Sequence, residues 1–110
     1  MGDRIVILTY NGIDGACSAA GILQRFPEAE VRVTSAARVG QTFQALAEQD
    51  CAPAEIHVCG LGVWCEWKEL AGSARALRRS GSDVFWYCGR GYLDRQRERL
   101  EQICEPVFLD

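Results

Sequence analysis

Short runs of branched apolar residues alternate along the chain with longer stretches whose apolar positions recur every three or four residues. Arg4–Thr9 (RIVILT) is such a run, closed by the turn-rich Tyr10–Gly15 (YNGIDG). A strand with almost no polar alternation is what a parallel sheet buried on both faces requires. A helix of small residues is predicted from Ala16 to about Phe26, where Pro27 stops it. Val31–Thr34 reads as a second strand. Val39, Phe43, Leu46 and Ala47 have helical spacing and predict a helix ending near Asp50. Glu55–Cys59 (EIHVC) is a third strand, followed by the loop Gly60–Cys65. Trp67, Leu70, Ala71, Ala74 and Leu77 mark one face of the next helix, and Gly81 suits its end. Asp83–Tyr87 (DVFWY) is a fourth strand. Asp94 suits the N-cap of a helix carrying Leu100, Ile103 and Cys104, and Pro106–Leu109 is a short fifth strand.

Repeated β–α units at this spacing predict an α/β fold, a three-layer α/β/α arrangement around a mostly parallel sheet of about five strands. Right-handed crossovers place all the strand C-termini on one edge, which is where such folds bind ligands. Four loops are expected there: Tyr10–Gly15, Ser35–Arg38, Gly60–Cys65 and Cys88–Asp94.

Composition narrows the class. The chain of 110 residues is the size of one domain, so residues 1–110 are expected to share a single core. Its 48% hydrophobic and 25% charged residues exclude a disordered chain. No apolar run approaches the roughly 18 residues of a membrane span, and Ile5–Leu8 is too short for a signal peptide. A cytoplasmic location without membrane contact is therefore expected. The net charge of −3 gives no electrostatic reason to expect nucleic acid. Six cysteines are the unusual component. A domain this apolar does not need disulfide staples, so the thiols are read as reduced.

The first loop carries the most chemistry. Tyr10-Asn11-Gly12-Ile13-Asp14-Gly15 is a tight strand-to-helix turn before a helix rich in Gly, Ala and Ser. Its glycines permit close approach of a ligand, and the helix N-terminus offers unpaired N–H groups to an anion. It is not a Walker loop, lacking Gly-Lys-Ser/Thr, nor a dinucleotide fingerprint, lacking G-x-G-x-x-G.

The stretch Ile5-Val-Ile-Leu-Thr-Tyr-Asn-Gly-Ile-Asp-Gly-Ala-Cys-Ser-Ala-Ala resembles the first motif of the DHH phosphoesterases. That family includes RecJ-type nucleases, exopolyphosphatases and oligoribonucleases, which hydrolyse phosphoester or phosphoanhydride bonds with a manganese pair. The resemblance continues through Phe26-Pro-Glu-Ala-Glu-Val, through Glu55-Ile-His-Val-Cys-Gly-Leu-Gly-Val and through Val84-Phe-Trp-Tyr-Cys-Gly-Arg-Gly-Tyr. It covers nearly the whole chain, mostly through apolar pattern and loop position.

The family's metal ligands are largely replaced. Tyr10 stands where the family's first motif has His, and Gly12 where it has its first Asp; Asp14 keeps its carboxylate. Gly60 occupies the place of the second-motif Asp, and Cys88-Gly89-Arg90 that of Asp-His-His. The chain reaches Asp110 before the family's fourth motif and its C-terminal substrate domain. A pair of hard cations, each with about six ligands, is not held by one carboxylate. The resemblance thus implies a catalytically degenerate domain, a pseudoenzyme without cofactor, acting by binding a protein partner or an anionic, phosphate-containing small ligand. Self-association is a further expectation, because sheet edge and apolar surface are left to cover. The alternative is an active phosphoesterase with a rearranged manganese site, hydrolysing a phosphodiester or oligonucleotide.

Each candidate residue carries a plainer reading beside the functional one. Asn11 and Gly12 are ligand-binding candidates through the turn they form. Asp14 is either a polar anchor for ligand or the N-cap of a helix beginning near Gly15. Ser18, placed in the first turn of that helix, contacts an anion or packs against the sheet among Ala16, Ala19 and Ala20. Arg90 grips phosphate in place of the lost metal or is a solvated loop arginine. Cys59 and Cys88 end neighbouring strands, with Cys17 and Cys65 nearby. No C-x2-C pair supports zinc, and buried thiols acting as small hydrophobes are the default. His57, between Ile56 and Val58, reads as a satisfied structural histidine. Trp67 and Trp86 read as core, Trp64 as a contact residue. Arg90, Arg95, Arg97 and Arg99, interleaved with Asp94, Glu98 and Glu101, read as a solvated helix face.

Overall fold

A computed structural model describes residues 4–9, 13–49, 52–59, 66–89 and 97–109. The elements follow in the order β1 (Ile5–Thr9), α1 (Ile13–Arg25), β2 (Glu30–Val33), α2 (Val39–Ala47), β3 (Glu55–Cys59), α3 (Trp67–Arg79), β4 (Asp83–Gly89), α4 (Arg97–Ile103) and β5 (Glu105–Leu109). The five strands form one sheet in the order β2-β1-β3-β4-β5. Each of its four pairings is parallel, so the expected mostly parallel sheet is parallel throughout. The fold is α/β.

The strand order explains where the helices lie. The chain steps from β1 to β2 in one direction, then from β2 through β3 and β4 to β5 in the other. With crossovers of one hand, that reversal sends α1 to one face of the sheet and α2, α3 and α4 to the opposite face. The packing follows this division. Val6, Leu8, Ile56, Val58, Val84 and Trp86 from the strands meet Phe43 and Leu46 of α2, Leu70, Ala74 and Leu77 of α3, and Leu100 and Ile103 of α4. On the other face Ile7 and Cys59 pack with Ala19 and Ile22 of α1. The central strands are apolar on both faces because both faces are covered. β2, at one edge, alternates charged and apolar residues.

Local signals set most of the boundaries. α3 is amphipathic, burying Leu70, Ala71, Ala74 and Leu77, and carries Arg78 and Arg79 in its last turn, where cations favour the helix dipole. It ends as Gly81 predicts. Gly81 takes φ +94°, its N–H donates to the Arg78 carbonyl, and the Ser82 N–H donates back to the Leu77 carbonyl, both at 3.0 Å. These two bonds form a Schellman cap. Gly81→Ala is expected to destabilise the protein by about 1 kcal/mol from the left-handed backbone alone, because a Cβ there meets nothing within 4 Å. A denaturant titration of the variant, with unchanged m, checks it.

Several boundaries differ from expectation: α2 ends at Ala47 rather than near Asp50, β4 runs on to Gly89 and so takes in Cys88 of the expected Cys88–Asp94 loop, and β5 starts at Glu105 rather than Pro106. α1 begins at Ile13 rather than Ala16 and ends at Arg25 rather than Phe26, and β2 spans Glu30–Val33 rather than Val31–Thr34. The Ile13-Asp14-Gly15 stretch has the composition of a turn, yet its backbone is helical. Asp94, expected to cap α4, lies outside the described residues. No helix among the described residues is long and apolar enough to cross a membrane.

Candidate functional site

The reversal of strand order lies between β1 and β3. In doubly wound sheets the crevice outside the carboxyl ends of the strands at this switch point is the position that takes ligands. β1 ends there at Thr9, paired with Cys59 at the end of β3 and with Val33 at the end of β2. Thr9 and Cys59 are both buried. α1 starts at Ile13, four residues beyond Thr9, so its N-terminus faces this same edge.

The β2 side of the edge is held by a chain of hydroxyls. The Thr34 N–H donates to the Thr9 carbonyl at 2.8 Å, fastening the end of β2 to β1. The Thr42 hydroxyl donates to the Arg38 carbonyl at 3.1 Å and accepts from the Thr34 hydroxyl at 2.8 Å. The Arg38 N–H donates to the Ser35 carbonyl at 3.0 Å, closing the turn before α2. Arg38 itself is exposed, placing a guanidinium on this edge. Sequence reasoning included the Ser35–Arg38 loop but overlooked Arg38 and the two threonines. Their register with β1 was the missing information.

The sequence-predicted residues fall as follows. Asn11, Gly12 and Arg90 lie outside the described residues, as do Trp64, Cys65 and Arg95. Asp14 and Ser18 belong to the backbone of α1, and their side chains are outside the described set. Asp14 is the second residue of the helix and so is not its N-cap, contrary to expectation; a carboxylate in the first turn is still favoured by the helix dipole. Ser18, expected in the first turn, is the sixth residue of α1 and lies in the second, beyond the unpaired N–H groups of the helix start. Cys59 stands opposite Tyr87 in the ladder, and Cys88, whose side chain is outside the described set, stands opposite Phe108. Burial pushes the Cys59 thiol up to about 12, so at neutral pH it is a neutral small hydrophobe. Cys104 is also buried, with its thiol on the Leu100 carbonyl, and Cys17 is exposed.

His57 is the satisfied structural histidine the sequence suggests, buried itself and the hub of a partly buried polar chain. Its Nε2 lies 3.0 Å from a Glu55 carboxylate oxygen and its Nδ1 lies 2.8 Å from the Tyr87 hydroxyl. A carboxylate only accepts, so Nε2 carries the proton of the neutral ring and Nδ1 accepts from Tyr87. Phe85 stacks on the imidazole at 5.0 Å and Phe26 packs against it at 5.8 Å. Burial pulls the His57 pKa below its ordinary value, outweighing the hydrogen bond and charge of Glu55, and the Arg25 charge lowers it further. Burial likewise raises the Tyr87 pKa. Glu55 and Tyr87 were not singled out from the sequence. Glu55 and His57 are two apart and share a face of one strand, which was a readable signal; Tyr87 is reached only through the β3–β4 register.

A cleft of about 860 Å³ opens at the opposite, amino edge, with Ile5, Phe26, Pro27 and Ala54 as its apolar walls and Glu30 and Glu55 among its polar ones. Its charges are largely answered within the chain. Arg4 bridges Glu30 at 2.8 Å and donates to Gln49 at 2.6 Å, and Arg32 bridges Glu30 at 2.9 Å. The Arg4 and Arg32 guanidinium groups hold the Glu30 carboxyl below its ordinary range.

The manganese pair implied by the DHH resemblance does not fit these residues. The motif positions keep one carboxylate, Asp14, and supply Tyr10, Gly12, Gly60, Cys88, Gly89 and Arg90 where hard oxygen and imidazole donors are needed. Cys59, the described thiol nearest the switch point, is buried and held protonated. Comparison with protein-family models, with curated protein sequences and with solved structures finds no match.

Proposed function

We propose that this chain is a binding domain, a catalytically degenerate relative of the DHH phosphoesterases that takes an anionic, phosphate-bearing ligand at the carboxyl edge of its sheet. The observation that carries this reading is the reversal of strand order between β1 and β3, which sets the ends of two buried strands beside the start of α1. A helix N-terminus at such a position favours an anion, and Arg38 adds a cation on the same edge. Arg90 is assigned to the ligand as well, gripping phosphate through its guanidinium where the family has a metal ligand. No bond is made or broken; the domain senses, carries or sequesters what it binds.

Thermal unfolding with inorganic phosphate and with nucleoside 5′-monophosphates tests this. A ligand at 100 times its Kd adds about 2.7 kcal/mol, on the order of 10 °C in melting temperature for a domain of this size. Arg38→Ala and Arg90→Ala are expected to shrink the shift. A melting temperature unmoved by every anion, with capture of a protein partner instead, would replace the ligand by that partner. Manganese-dependent hydrolysis of a phosphodiester, abolished by Asp14→Asn, would overturn the non-catalytic reading.

A further inference from the structure

The two edges of the sheet differ in their capacity to pair. β5 contains Pro106, which has no N–H and blunts that edge. β2, Glu30-Val31-Arg32-Val33, contains no proline. The Thr34 N–H points inward to the Thr9 carbonyl. Because direction alternates along a strand, the N–H and C=O groups of Val31 and Val33 point outward, away from β1. Their side chains are also uncovered, 43% and 69% exposed, and they are the large apolar side chains exposed among the described residues.

A short, charged edge strand ordinarily resists association. Here the charges select one partner and one register. A second copy related by a two-fold axis adds its β2 antiparallel to this one, with outward-facing residues opposite outward-facing residues. Three registers set Val31 opposite residue 29, 31 or 33 of the partner. Pairing Val31 with the partner's Val33 sets Arg32 against the partner's Arg32. Pairing Val31 with the partner's Ala29 sets Glu30 against the partner's Glu30. Both put like charges directly opposite, which opposes pairing. Pairing Val31 with the partner's Val31 sets Glu30 against the partner's Arg32 and Arg32 against the partner's Glu30. That register alone is complementary. Its ladder consists of the two bonds exchanged between the Val31 residues, flanked on each side by Val33 N–H onto the partner's Ala29 carbonyl. The Ala29 N–H is already committed to the Phe26 carbonyl at 3.0 Å, so the ladder stops there.

We infer that the chain forms a two-fold dimer through β2, continuing its sheet into a second copy in antiparallel register centred on Val31. The interface is independent of ligand binding at the carboxyl edge, and either stands if the other fails. A ladder this short gives a concentration-dependent equilibrium rather than a permanent dimer.

Sedimentation equilibrium on the full chain and two charge variants tests it. The wild type is expected to dimerise at tens of micromolar. Arg32→Glu presents only acidic residues at the interface and Glu30→Arg only basic ones, so each alone is expected to be monomeric. Mixed in equal amounts, they regain opposite charges at every cross-strand position and form a heterodimer. Recovery on mixing also shows that both variants are folded, and circular dichroism melts of each confirm it independently. Surface ion pairs of the Arg4–Glu30 kind contribute little to stability, so the fold tolerates both changes. A wild type that stays monomeric at millimolar concentration, single variants that still dimerise, or folded variants that do not recombine would each overturn the proposal.

Discussion

Trp86→Ala is expected to destabilise the protein by about 3–5 kcal/mol, the cost of truncating a fully enclosed aromatic side chain. Trp86 has no accessible surface and meets Phe43 edge-on, with ring centroids 6.1 Å apart at 74°. It lies in β4, opposite Val58 of β3, on the face shared by α2, α3 and α4. Removing the indole therefore opens a void bordered by several elements at once, which no single side chain can fill. Domains of this kind are stable by about 5–15 kcal/mol in total, so the variant is expected to be partly unfolded at 37 °C. Chemical denaturation of wild type and variant measures the difference. Trp86→Phe, which keeps most of the apolar volume, is expected to recover more than half of it. A loss below 1 kcal/mol for the alanine variant would mean that the three-helix face is not the main core.

His57 carries the second large effect. His57→Ala removes a ring stacked on Phe85 and leaves the Tyr87 hydroxyl without its acceptor, for an expected loss of about 3 kcal/mol. The same residue sets an acid limit on stability. Its folded pKa is depressed, mainly by burial, below the ordinary value of 6.5. Above 6.5 the imidazole is neutral in both states and the folded and unfolded chains bind equal numbers of protons. As pH falls below 6.5, the unfolded chain takes up a proton that the folded chain resists, and stability falls until the folded pKa is reached. Urea titrations between neutral pH and pH 5 are expected to show this decline in the wild type and its loss in His57→Ala. A variant retaining the wild-type slope would assign the acid sensitivity to other groups, Glu30 among them, whose depressed pKa places its own loss lower on the pH scale.

The parts of the fold legible in the sequence are those decided by local patterning. Ile5–Leu8 and Val84–Tyr87 are apolar runs too unbroken for a one-sided strand, Ile56–Cys59 is interrupted only by His57, and each forms an interior strand of the sheet. The three- and four-residue spacing from Trp67 to Leu77 marks α3, and Gly81 ends it. The start of α1 was hidden because Asn-Gly and Asp-Gly favour turns, whereas Ile13–Gly15 is drawn into the helix above β1 and β3. The site was less legible. Strand order depends on which crossover steps left and which right, and no local pattern encodes that choice. The partnership of His57 with Tyr87 spans 30 residues and exists only in the β3–β4 register. The exposure of Val31 and Val33 contradicts the usual rule that valines face a core. α1 lies over β1 and β3, while the α2 side of β2 is occupied by the Arg4, Glu30 and Arg32 ion pairs.

The position of β1 also bears on how the chain is made. It is synthesised before both strands that flank it, yet it occupies the interior of the sheet, hydrogen-bonded to β2 on one side and to β3 on the other. Ile5 has to wait for Glu55, 50 positions later, before its second flank is closed. At a synthesis rate of about 5–20 residues per second, that leaves several seconds in which an apolar strand presents an open side to solvent. The nascent chain is then most exposed to chaperones and to other nascent copies, and completing β3 ends that interval.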